Sequence, residues 1–185
     1  MAIVNVKQFD DYILQAWNVY SSSTWYNSSY IDVNAIDTVT GEFNTQLITT
    51  AQGSGTYAAS ICENATDGGY NDWYLPSTEE LVAYFNAGYT TATVAWSSTE
   101  VDVNDAYIVD LDSGDVLTLD KELLALVVKF RKEYTTDVIT IERMNLTSIN
   151  APILSGGVNN ADEDVYKMLG GINGISKNSK IMTNE

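Results

Sequence analysis

Twenty-five carboxylates, nine cations and no histidine set the limits of the chemistry open to this chain. Without histidine there is no imidazole to act as general base, no Ser-His or Cys-His nucleophile, and no common zinc ligand set. The single cysteine, Cys62, falls on the apolar face of a helix predicted over 57–64 and reads as a small buried hydrophobe. Gly53-Ser54-Gly55 lacks the further glycine and the lysine of a phosphate-binding loop. Paired carboxylates are plentiful, yet none sits in a recognisable glycosidase arrangement. The expectation is a protein that is not an enzyme.

Two residue groups could still bind something. The first is the polar loop 21–30, Ser-Ser-Ser-Thr-Trp-Tyr-Asn-Ser-Ser-Tyr. Flat rings flanked by hydroxyls and amides suit a sugar or a partner side chain, which makes Trp25, Tyr26 and Tyr30, with Tyr89 further on, the candidate ligand-binding residues. The same loop also reads as a linker pinned by buried rings. The second group is acidic: Asp102, Asn104, Asp105, Asp110, Asp112 and Asp115 lie within fourteen residues. Hard oxygen ligands at alternate positions suit Ca²⁺, with Asp110, Asp112 and Asp115 the candidate metal ligands. Against this, Gly114 comes one position early for an EF-hand loop, and Asp-Ser-Gly-Asp is also an ordinary hairpin turn.

The elements that would position these groups follow from periodicity and punctuation. Residues 5–20 place Val6, Phe9, Tyr12, Ile13, Ala16, Trp17 and Tyr20 near a helical spacing, which predicts an amphipathic N-terminal helix. Residues 31–50 alternate weakly, and Thr40-Gly41 reads as a hairpin turn between strands. Gly68-Gly69 permits a sharp turn, Trp73-Tyr74-Leu75 is held extended by Pro76, and Ser77 with Glu80 forms a capping box. A helix over 78–86 follows, and then a strand led by Trp96. Trp73 and Trp96 read as core rings. Ala106–Leu111, Val116–Leu119 and Leu123–Phe130 read as a three-stranded meander.

The run Gly68-Gly69-Tyr70-Asn71-Asp72-Trp73-Tyr74-Leu75-Pro76-Ser77-Thr78-Glu79-Glu80-Leu81, then Trp96-Ser97-Ser98-Thr99, resembles the C-terminal domain family of Legionella collagen-like adhesins. Ala106–Leu111, the Ser113-Gly114 turn and Val127–Arg131 resemble its later blocks, so the resemblance covers about residues 35–132. It implies a C-type-lectin-like α+β fold related to the formylglycine-generating enzymes, with two helices on a twisted antiparallel sheet. Such a fold usually binds or displays rather than catalyses. The enzymatic relatives use cysteines for their chemistry, and Cys62 alone does not reproduce that arrangement.

The expected organisation is an N-terminal docking helix and aromatic loop over 1–34, a lectin-like domain over 35–132, and an extended assembly arm over 133–185. That last stretch has no Trp or Phe but seven Asn and five Gly. It offers too little apolar surface to offset an ordering cost of about 1–2 kcal/mol per residue by itself. The formal charge is −16, and residues 1–120 hold one cation, Lys7, against 17 acids. Such a surface repels phosphate backbones and anionic headgroups, so neither nucleic acid nor a membrane is an expected partner. The N-terminus lacks the basic and apolar regions of a signal peptide. A surface-binding type of fold without that signal points to a virion protein of a tailed phage, made in the host cytoplasm: a fibre, a baseplate or tail-tip component, or a capsid decoration. Its expected partners are other virion proteins, through residues 1–20 and 133–185, in an oligomer, with a host surface glycan as a further ligand. The alternative is a bacterial surface adhesin that binds polysaccharide.

Overall fold

The computed structural model describes residues 3–135. The elements are β1 (Ile3–Gln8), β2 (Tyr12–Ser23), α1 (Gly41–Gln52), α2 (Ala58–Glu63), a 3-10 turn (Asp67–Gly69), α3 (Thr78–Asn86), β3 (Val94–Glu100), β4 (Asp105–Asp110), β5 (Val116–Asp120) and β6 (Ala125–Tyr134). The strands form one sheet in the order β1-β2-β6-β3-β4-β5, and the fold is mixed α+β. Every pairing is antiparallel except that of β3 with β6, which run parallel. Everything expected of the C-terminal arm beyond Thr135 lies outside the described residues.

Alternate residues of the central strands feed two cores. Trp96, Ile108 and Val127 belong to one, with Trp25, Ile48, Tyr57 and Cys62. Ala95, Val109, Val128 and Phe130 belong to the other, with Leu81 and Tyr84 of α3. Since successive strand side chains point to opposite faces, the sheet is covered on both sides, by α1 and α2 on one and by α3 on the other. Trp73 and Trp96 are core rings, as expected, and burial pushes the Cys62 thiol well above its ordinary pKa.

Three expectations are corrected. The N-terminal docking helix is a hairpin of β1 and β2, closed by Phe9 N–H donating to Tyr12 O (2.8 Å). Its Val, Ile, Tyr and Trp content suits a pleated surface, and Tyr12, Leu14 and Ala16 put one face in the core at period two. Residues 3–23 therefore belong to the same sheet as the rest, not to a separate segment ending at 34. The meander is likewise replaced: β6 inserts between β2 and β3 instead of lying beside β5. The continuous run Leu126-Val127-Val128 demands cover on both faces, which a central strand receives and an edge strand does not.

The third correction concerns Thr40-Gly41, which opens α1 instead of turning a hairpin. A helix here is inconspicuous in sequence because its buried residues include Gly41, Asn44, Thr45 and Gln52, with Ile48 the one large apolar side chain among them. Gly41 is needed for a close approach: a Cβ would stand 2.4 Å from Ser77 N and 2.6 Å from Leu75 O. Gly41→Ala is expected to cost about 1–3 kcal/mol of unfolding free energy in a denaturant titration, because two of the three clashing atoms are backbone and the third, Glu80 Oε2 (2.5 Å), is held by the capping network.

Candidate functional site

The motif that carries the family resemblance occupies a fork in the sheet. β6 and β3 meet at Leu126 and Ala95 and then diverge. Tyr74 fills the gap by exchanging both backbone hydrogen bonds with Phe130 (2.8 and 2.9 Å), and Ser98 N–H donates to Pro76 O (2.7 Å). The capping box of α3 forms as the sequence indicates. Its glutamate does more than cap. Glu80 Oε2 accepts from Ser77 N–H (2.8 Å) and from Gly41 N–H of α1 (3.2 Å), while Oε1 accepts from Tyr74 Oη (2.7 Å). One buried carboxylate thus ties two helix starts to the bridging segment.

Desolvation raises the Glu80 pKa, and the Ser77 and Tyr74 hydrogen bonds oppose it. The folded protein therefore holds that proton more tightly than the unfolded chain. Its contribution to stability is present at low pH and is lost as pH rises from the ordinary glutamate value through the raised one. Glutamine can accept from Ser77 and Gly41 through its carbonyl and donate to Tyr74 Oη through its amide. Glu80→Gln is expected to equal or exceed the parent stability near pH 7 and to remove this fall, read as urea midpoints between about pH 4 and about pH 7.

A second buried pair lies at the other end of the sheet. Lys121 and Glu100 are 0% and 3% exposed, with Nζ 2.5 Å from Glu100 Oε1. Lys121 Nζ also donates to Asp102 O (2.5 Å) and Val103 O (3.1 Å), and lies 4.7 Å from the centre of the Trp25 ring. The Glu100 carboxylate accepts from the N–H groups of Val33 and Ala35. The pair thereby pins the irregular chain between β2 and α1 to the sheet. Neither residue stood out in the sequence; the one signal was a lone cation, Lys121, in a strongly acidic stretch.

This anchoring decides where the candidate ligand residues go. Trp25 is sealed in the core, with its Nε1–H donating to Ser97 O (2.8 Å), so it is a packing residue and not a ligand platform. Tyr26 and Tyr30 do come together. Their rings stack at 4.9 Å with 12° between planes, and Tyr30 Oη donates to Asp120 Oδ1 (2.7 Å). Tyr30 remains 36% exposed with one ring face taken by Tyr26. Tyr89 belongs elsewhere, stacked on Tyr84 at 4.8 Å and donating to Asn5 O (3.2 Å). Sequence reasoning passed over a second half-exposed group, Phe9 stacked on Tyr12 (4.5 Å) with Tyr134 beside it (5.9 Å). The helical assignment of 5–20 had hidden it.

Asp110, Asp112 and Asp115 form a turn. Asp110 Oδ1 accepts from Asp112 N–H (2.8 Å), Asp115 Oδ2 accepts from Ser113 Oγ (2.9 Å), and Gly114 takes a φ of 84°. Among the described residues no group of three or more His, Cys, Asp or Glu side chains gathers to hold a metal ion. A shallow, open cleft runs along α3 between Lys7 and Val116, lined by Thr78, Glu79, Val82 and Asn86. No helix among the described residues is long and apolar enough to cross a membrane.

No family model and no curated protein matches the chain. Among solved structures, a fimbrial protein from Bacteroides ovatus ATCC 8483 is similar at a TM-score of 0.50 and 14% identity, over 64% of this chain and 35% of that one. This chain therefore spans about a third of the length of that protein. The likeness is one of fold.

Proposed function

We propose that this chain is a non-enzymatic structural protein of a tailed-phage virion, a fibre, baseplate, tail-tip or capsid-decoration component that displays a C-type-lectin-like domain. The observation that carries the display role is the Tyr26–Tyr30 pair, held at the surface by Asp120 on a unit whose buried Glu80, Glu100 and Lys121 serve its own backbone. Glu80 caps α1 and α3, Glu100 holds the Val33 and Ala35 amides, and Lys121 holds three carbonyls. None is left to move a proton on a substrate. The lectin-like reading draws on the Gly68–Leu81 and Trp96–Thr99 motifs and their resemblance to the collagen-like adhesin domains. Oligomeric assembly with other virion proteins draws on the Asn- and Gly-rich composition of 133–185.

A stacked, pre-oriented ring pair binds the flat face of a sugar or a partner side chain at small entropic cost. Tyr26→Ala with Tyr30→Ala is expected to lower binding of the full chain to host-surface glycan about tenfold or more, and Tyr30→Ala alone, which removes only the exposed ring, is expected to weaken binding while leaving the unfolding midpoint nearly unchanged. Unchanged binding would remove this pair from the proposal. The virion role is tested by quantifying the chain in purified phage particles and in cell envelopes of the strain that encodes it. Recovery with the particles is expected. Recovery in the envelope alone would overturn the virion reading in favour of a bacterial surface adhesin, which the fold shared with a fimbrial protein favours as second reading.

A further inference from the structure

The exposed ring of Tyr30 sits beside carboxylates that have no cation of their own. Tyr30 Oη donates to Asp120 Oδ1 (2.7 Å), and Glu122 N–H donates to the same oxygen (2.9 Å). Both bonds fall on Oδ1, which leaves Oδ2 for a ligand. Asp105 stands directly opposite Asp120 in the pairing of β4 with β5. Residues so placed share one face of the sheet with Cβ atoms about 4.5–5.5 Å apart, and two like charges there are destabilising. Exposed Glu122 and Asp32 lie two residues beyond Asp120 and Tyr30.

The cations are engaged elsewhere. Lys121 is buried, and its ammonium is held by Glu100 and by the carbonyls of Ile31, Asp102 and Val103. The other cations among the described residues, Lys7, Lys129, Arg131 and Lys132, belong to β1 and β6, which β3 and β4 separate from β5. The last three of these pair with Asp67, Asp72 and Glu42.

This charge decides what the ring pair accepts. Tyr26 covers one face of Tyr30, and the other face is open to solvent. The site is built in advance: Asn27 N–H donates to Gln52 Oε1 (3.1 Å) and Asn27 Nδ2 to Gln52 O (3.0 Å), which fixes the chain beside Tyr26. A carboxylated or sulfated sugar on the open face meets repulsion from Asp120, Asp105 and Glu122. A neutral sugar gains the stacking alone. A sugar with a free ammonium gains the stacking, the attraction of the ring face for a cation, and a charge-assisted bond to Asp120 Oδ2. It also relieves the opposition of Asp105 and Asp120.

We propose that the Tyr26–Tyr30 site selects glycans carrying free amino groups, with the sugar ring on the open face of Tyr30 and its ammonium between Asp120 and Asp105. This rests on the reading of the ring pair as a glycan site and names the class of glycan.

Titration calorimetry of the full chain with hexamers of glucose, N-acetylglucosamine and glucosamine, all in the same linkage, tests it. The three differ in one substituent per ring: hydroxyl, acetamide or ammonium. A pH of about 5.5 lies above the ordinary Asp and Glu range and below that of an amine. The glucosamine hexamer is expected to bind about tenfold or more tighter than the glucose hexamer, and the acetylated hexamer no tighter than glucose. Asp105→Asn with Asp120→Asn keeps an acceptor for Tyr30 Oη and removes both charges; it should bring the glucosamine-to-glucose ratio to about one. Tyr30→Ala should lose all three hexamers. Circular dichroism checks both folds. Equal binding of the three hexamers by the parent chain would overturn the selection by charge and leave the glycan reading standing. A preference that survives Tyr30→Ala or the double Asn variant would also overturn it, as general attraction of a polycation to a chain of net charge −16. Hexalysine binding that depends on Tyr30, with no hexamer bound, would overturn it in favour of a basic segment of a partner protein. Failure of the parent chain to bind any of these probes would overturn it outright.

Discussion

Lys121→Met is expected to lower the unfolding free energy by about 3–5 kcal/mol, the usual cost of stranding one partner of a buried ion pair. Lys121 is completely buried, and its ammonium is 2.5 Å from Glu100 Oε1. Methionine fills much of the same volume, so the loss comes from the charge and not from a cavity. Glu100 would remain as a buried anion held by the Val33 and Ala35 amides alone. Adding Glu100→Gln should recover part of the loss, because the second substitution removes the uncompensated charge. Urea titrations of the parent, both single variants and the double variant measure this coupling directly. A single-variant loss below about 1 kcal/mol would show the pair to be energetically idle, as exposed pairs often are. The effect also reaches the surface. Trp25 N–H donates to Lys121 O (2.9 Å), so loosening this anchor should disorder the Tyr26–Tyr30 pair and weaken binding along with stability.

Trp25→Ala is expected to destabilise by about 3–5 kcal/mol, the range for emptying a buried Trp or Phe site. The ring is fully buried among Val33, Ile48, Tyr57 and Trp96, and its Nε1–H bond to Ser97 O would be lost with it. For a unit whose whole stability is of order 5–15 kcal/mol, this is a large fraction. The expected result is a strongly reduced denaturation midpoint, with any loss of attachment following from unfolding. A Trp25→Ala protein with parental stability and abolished glycan binding would restore the ring to a ligand role.

The segment from Gly68 to Leu81 shows how much local sequence can determine. Pro76, Ser77 and Glu80 act through contacts a few residues apart, so the extended stretch, the capping box and the helix Thr78–Asn86 were all readable. The same holds for Ala58–Glu63, β3, β4 and β5, where punctuation and apolar pattern agree. Residues 5–20 show the opposite case. A spacing of three and four occurred in a stretch whose propensity is for strand, and the choice between them was made by β6, more than a hundred residues away. α1 was hidden for a related reason. Its buried face is polar and satisfied by groups distant in sequence: Thr45 accepts from Leu75 N–H (2.9 Å) and Gly41 N–H donates to Glu80 Oε2 (3.2 Å).

The candidate site divides along the same line. Composition alone determined that histidine chemistry is absent and that the net charge is strongly negative, and it named aromatic residues as the candidate binding groups. Which rings reach solvent was decided by the Lys121–Glu100 pair, which draws Trp25 inward and leaves Tyr30 outside, tethered to Asp120. Sequence order likewise places β6 directly after β5, yet the sheet inserts β6 between β2 and β3 and leaves β5 at the edge. Both outcomes depend on contacts between residues far apart in the chain. Burial free energy is set by what packs against a side chain from elsewhere, and a pattern of neighbours along the chain does not contain that information.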